Sequence, residues 1–259
     1  MCIFFAAASG DYPAGTFEEL EAKWPVSDLD VRRSGRVIFS ELVMVPPGTR
    51  PAVRVKSTAD FFAQTGINFD GEQASAVPWN KAIRRAAGWR GAHSLYYLNI
   101  YGVSAGGQAG GFMGVGNGTA HGVLHHELGH ALSLPHWGNS AAYPYKGTMH
   151  GISAPATYNS THAGPTWAYD SRFGTMISPS RLIRGVPTYR VDPMQGGGTG
   201  QQDPPFLMNH FSDYSVNQMR NYLQSTMVVW NPLLGRSGAY AKWNQSTGEY
   251  STVRSNNGV

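Results

Sequence analysis

The segment His126-Glu127-Leu128-Gly129-His130-Ala131-Leu132-Ser133-Leu134-Pro135-His136 constrains the fold more than any other part of this 259-residue chain. Two histidines four apart share a side only on a helix. Val123, Leu124, Leu128, Ala131 and Leu132 give that helix an apolar face to bury. The spacing predicts a helix over Thr119–Leu134, closed off in time for a turn to swing His136 back. His126, His130 and His136 then converge on one divalent ion, zinc by the chemistry of three imidazoles. Glu127, next to the first of them, reaches a water on that ion without taking a coordination position. HExxH alone recurs by chance in helices, and the third histidine is what makes the pattern specific. His125 is one residue off the ligand face and has Gly129 where a partner would stand, and the His121/His125 pair lacks an adjacent Glu.

The third ligand divides the alternatives. A glutamate from a later helix is nearly closed as an option, because the only Glu after Glu127 is Glu249 in the tail. His136 fits the form H-E-x-x-H-x-x-Ser-x-x-H, with Ser133 where glycine is usual. That position ends a helix at positive φ, where a serine costs about 1–2 kcal/mol if the same backbone is kept. Cys2 is the single cysteine, so neither a disulfide within the chain nor a cysteine–zinc site can form. The glycine-dense stretch from Gly102 to Gly118 is no phosphate loop, since no Lys lies between Lys81 and Lys146. The net charge of +4 comes from dispersed arginines, which does not predict nucleic-acid binding. No apolar run approaches the roughly 18–20 residues of a membrane span.

Elsewhere the pattern predicts one loop-rich domain over 1–259. Met1–Ala8 is apolar but lacks a basic flank, and reads as a first strand and not as a leader. Phe17–Trp24 reads as a helix capped by Thr16, with Ala59–Gln64 and Trp79–Ala87 as further helix candidates. Gly35–Val45 and Leu95–Val103 read as strands, and Gly111–Val115 as an edge strand. From Pro135 to about Pro205 the chain reads as turns alone. Ser215–Thr226 carries Val216, Met219, Tyr222 and Leu223 at helical spacing, and Tyr240–Val253 reads as two aromatic strands around a turn.

His125–His136 resembles the zinc motif of metzincins of the StcE/TagA type, secreted bacterial metalloproteases that cut mucin-like O-glycosylated proteins. Trp167-Ala168-Tyr169-Asp170, Asp192-Pro193-Met194-Gln195-Gly196-Gly197 and His210-Phe211-Ser212-Asp213-Tyr214-Ser215 follow in a similar order. The resemblance spans roughly residues 10–255. It implies an α/β (α+β) metzincin-like fold, with a twisted mixed sheet and the zinc helix in an upper lobe, 1–136. An irregular, loop-rich lower lobe with a C-terminal helix follows, 137–259. It also implies a methionine in a tight turn beneath the metal, for which Met194 is the first choice and Met149 the alternative. An edge strand above the metal pairs with the extended substrate in such folds, and Gly111–Val115 is the candidate here. The expected activity is zinc-dependent hydrolysis of peptide bonds in a mucin-like glycoprotein by a secreted monomer holding one Zn2+. Tyr143, Tyr145, His150 and His162 are available to stabilise the oxyanion, Trp137 and Trp167 to stack on sugars, and other substrate-binding residues stay open. A general secreted peptidase and a non-catalytic, zinc-stabilised glycoprotein-binding module are the competing readings.

Overall fold

The structure is a computed structural model that describes residues 2–6, 12–34, 40–46, 48–67, 80–81, 95–100, 106–117, 121–138, 140–147, 163–164, 167–195, 206–234 and 238–253. Its centre is a five-stranded mixed sheet in the order β2-β1-β5-β7-β6. These strands are β1 (Cys2–Ala6), β2 (Asp30–Ser34), β5 (Leu95–Ile100), β6 (Gly107–Gly110) and β7 (Met113–Asn117). β1 runs parallel to both β2 and β5, β5 runs parallel to β7, and only β6 is antiparallel to its neighbour. Between them come a small hairpin, β3 (Leu42–Met44) with β4 (Val53–Val55), and two helices, α1 (Thr16–Lys23) and α2 (Thr58–Thr65). Ser57 caps α2 by accepting from the Asp60 amide at 3.1 Å.

Two expectations shift here. Thr16 does not cap α1. It is the first helical residue, its hydroxyl donates to the Pro13 carbonyl at 2.7 Å, and Gly15 in the left-handed region takes the capping place. The edge strand is not Gly111–Val115 but Gly107–Gly110, one strand earlier, because Gly111 and Phe112 both adopt positive φ and form the hairpin turn. Of the Gly35–Val45 expectation, 35–39 lies outside the described residues and only Leu42–Met44 is strand. Of Trp79–Ala87, only residues 80–81 are described.

Helix α3 (His121–Ala131) packs across β6 and β7. It can lie close because the face of the hairpin turned to it is nearly bare. Gly107 and Ala109 on β6 stand opposite Gly116 and Gly114 on β7, and a Cβ at Gly116 would meet the Tyr97 hydroxyl and Val123. Leu124, Leu128, Ala131 and Leu132 are buried with Leu95 and Tyr97 on one side. On the other side they join Trp137, Met194, Met208, Phe211 and Met219 in one core cluster.

The stretch from Pro135 to Pro205 is not turns alone. It carries two antiparallel hairpins, β8 (Ala168–Asp170) with β9 (Thr175–Ile177) and β10 (Ser180–Ile183) with β11 (Val186–Tyr189). A single helical turn over Pro193–Gln195 follows. α4 (Asp213–Thr226), capped by Ser212, leads to a three-stranded sheet of β12 (Val228–Asn231), β13 (Ala239–Asn244) and β14 (Glu249–Thr252).

Helix α1 meets residues 170–208 in a buried ionic cluster. Glu19 on α1 accepts from the backbone amides of Leu207 and Met208, each at 2.9 Å. It pairs with Lys23 one turn on and with Arg172 at 3.2 Å, and Arg172 also binds Asp170 at 2.9 Å. Burial pulls the Lys23 amine down to about 8, against the opposing effect of Glu19.

Candidate metal centre

Helix α3 carries His126 and His130 on one side, and its ending places the third histidine. Ser133 sits at φ 73. Its amide donates to the His130 carbonyl at 2.9 Å, and the Leu134 amide to the Gly129 carbonyl at 3.0 Å. That bond pair is a Schellman ending, which reverses the chain at a left-handed residue. The turn expected of glycine is therefore kept with serine in place. Because the strain at Ser133 is local, Ser133→Gly should raise stability by about 0.5–1 kcal/mol, read as a higher midpoint in thermal unfolding. A lower midpoint would mean that the serine side chain makes a contact worth more than the strain.

The reversal brings the three imidazoles together. The Nε2 atoms of His126, His130 and His136 stand 3.0 to 3.1 Å apart in a triangle. His126 is buried, His130 half-buried and His136 exposed, so the centre faces solvent on the His136 side. Tautomers follow from what lies behind the rings. The Nδ1 of His126 is 2.6 Å from the Pro193 carbonyl, and that of His130 is 2.6 Å from the Leu134 carbonyl. A carbonyl only accepts, so both rings carry their proton on Nδ1 and aim an Nε2 lone pair at the shared point. Burial lowers His126 to about 4 and lowers His130 as well, which keeps both rings neutral. Converging lone pairs at 3.1 Å repel unless a cation lies between them. Three converging imidazoles, two of them with outer carbonyl partners, form a donor set fit to hold a divalent metal ion.

The turn that carries Pro193 is held firmly. The buried Asp192 carboxylate accepts from the Met194 amide at 2.8 Å, the Ser212 amide at 2.9 Å and the Ser215 hydroxyl at 2.8 Å. Burial raises Asp192 to about 6 against the pull of those bonds. The Trp137 amide donates to the Met194 carbonyl at 2.6 Å, tying the residue after His136 to the same turn. Met194 is fully buried beneath α3, where a Cβ on Gly129 would come within 2.5 Å of its sulfur. Met149 lies outside the described residues.

Glu127 is buried beside the histidines, and its Oε2 has no hydrogen-bond partner among the described residues. Burial pushes its carboxyl up to about 8. A nearby divalent charge acts in the opposite direction and favours the carboxylate. Of the oxyanion candidates, Tyr143 is a core residue whose hydroxyl donates to the Gly164 carbonyl, and Tyr145 donates to Asp213 at 2.9 Å. Both hydroxyls are thus engaged elsewhere. His150 and His162 lie outside the described residues. Trp137 is buried, with its indole N–H donating to Ser215 at 2.9 Å, so it packs instead of facing sugars. Trp167 is exposed. His125 is buried against Phe211 and receives the Trp24 indole N–H, a structural histidine. What the sequence did not reveal are the Pro193 and Leu134 carbonyls, since a backbone acceptor leaves no signature in residue type.

Residues 9–228 match the family model described as Peptidase M66. The chain is 27% identical over 279 residues to dictomallein of Burkholderia pseudomallei (strain 1710b), covering 95% of this chain and 38% of that protein. The same figures hold for dictomallein of Burkholderia mallei (strain SAVP1). It is 26% identical over 137 residues to dictomallein-5 of Dictyostelium discoideum, 46% of this chain and 19% of that protein. The chain thus spans under two-fifths of the length of the curated relatives it matches. No solved structure matches it.

Proposed function

Since the chain belongs to the Peptidase M66 family, we propose that it is a zinc-dependent endopeptidase of metzincin type, held by His126, His130 and His136 and driven by Glu127. The observation that carries this reading is the triangle of Nε2 atoms, two of them fixed as lone-pair donors by carbonyls behind their rings. When bound, zinc polarises the scissile carbonyl and brings the pKa of water to about 7. Glu127 takes the proton of the attacking water and delivers it to the leaving amine. The Pro193 and Leu134 carbonyls keep two imidazoles in the ligating tautomer. The turn at Met194 serves as the apolar floor, and the segments before and after His136 serve as upper and lower lobes.

The proposed substrate is a mucin-type O-glycosylated protein and the proposed setting extracellular, both by resemblance of the zinc motif and the downstream segments. No helix among the described residues is long and apolar enough to cross a membrane. A purely binding role is disfavoured by Glu127, because a buried carboxylate without a partner costs stability and a structural metal site has no use for one. One digest tests the reading. Mucin should be cut, a chelator should stop the cutting, and about one equivalent of zinc should restore it. Metal-free protein that still cuts would overturn the proposal. Equal cutting of mucin and enzymatically deglycosylated mucin would instead assign a general peptidase.

A further inference from the structure

Glu127 must be held where it can meet a water, yet among the described residues none makes a hydrogen bond to its Oε2. Its position is set by shape, and the wall is the edge strand β6. A Cβ built on Gly107 would lie 2.6 Å from Glu127 Cδ and 2.6 Å from Oε1, and closer still to Cγ. Real Cβ atoms essentially never approach that near. The atoms met are the middle of the side chain as well as its end, so rotating the carboxylate does not relieve the clash. Gly107 is fixed in turn by its register opposite Gly116 on β7, and its φ lies outside the left-handed region. The glycine is thus required by space and not by backbone conformation.

We propose that Gly107 is the positioning residue of the general base: its bare Cα on the edge strand is the surface against which the Glu127 side chain is seated. This rests on Glu127 being the base. A methyl group there pushes the carboxylate off its place, and the three atoms nearest to it all belong to Glu127 and none to an imidazole.

The test is a double-mutant cycle with zinc content, thermal midpoint and mucin hydrolysis as readouts. Gly107→Ala should lower kcat about 10²-fold, as misplacement of a catalytic group by roughly 1 Å does, with zinc near one equivalent and KM little changed. In a Glu127→Ala background, which lacks Cγ, Cδ and Oε1, the same change should alter neither the residual rate nor the midpoint. Should Gly107→Ala fail to accumulate, its recovery in the Glu127→Ala background supports the contact, and failure in both overturns it. A kcat within twofold of the parent, or equal losses in both backgrounds, also overturns it. If Glu127→Gln remains active, the general-base reading falls. The stability coupling between positions 107 and 127 would then still stand or fall by itself.

Discussion

Glu127→Gln should reduce turnover by about 10²–10⁴-fold, the span over which general acid–base groups contribute, with bound zinc unchanged near one equivalent. The amide has nearly the same shape, so the wall at Gly107 still accommodates it. No hydrogen bond from Oε2 to a described residue is lost. The variant should therefore fold as the parent does, and the loss should be one of chemistry. In metal-free protein the stability of this site depends on pH. Burial raises this carboxyl from its ordinary 4.5 to about 8, so its contribution to stability is full below 4.5 and declines as pH rises through 8. Glu127→Gln removes that decline, and above pH 8 the metal-free variant should melt at or above the parent. Retained proteolysis would remove Glu127 from its role.

His136→Ala should lower zinc affinity more than about 100-fold, since losing even an outer partner of a ligand costs 10–100-fold. Activity should go with the metal. His136 is the exposed member of the three, and exposed substitutions usually change stability by no more than about 0.5 kcal/mol. Loss of metal can thus be separated from unfolding, which is harder at the buried His126. Equilibrium dialysis with zinc and a thermal melt on the same sample measure both. An unchanged stoichiometry would mean that another residue supplies the third ligand.

The centre was legible where side-chain chemistry repeats at helical spacing. His126, Glu127 and His130 demand a helix of known phase, and Ser133 followed by Pro135 marks where it stops. α2 was legible as a short helix candidate, α4 from its apolar spacing, and β5 from its β-branched and aromatic run. The β6–β7 hairpin was displaced by one strand because a glycine run has no alternation to fix register. Its turn also includes Phe112 at φ 64, a conformation such a residue seldom adopts. β8 to β11 escaped because each is only three or four residues long and exposes Tyr169, Met176, Leu182 and Val186, reversing the usual cue of burial. Gly107 looked like one loop glycine among many. Only its distance from Glu127 distinguishes it.

The salt-linked contact between Glu19 and the amides of Leu207 and Met208 joins residues some 188 positions apart. As the polypeptide leaves the ribosome, α1 emerges with a carboxylate whose partners, Arg172, Leu207 and Met208, have yet to be translated. Until Arg172 and residues 206–210 follow, that carboxylate keeps its water, and α1 is held only through the apolar packing of Leu20 and Trp24. Assembly of the N-terminal half is thus coupled to synthesis of the C-terminal half. Helix α3 gains Met208, Phe211 and Met219 of its supporting layer only once those residues have been made.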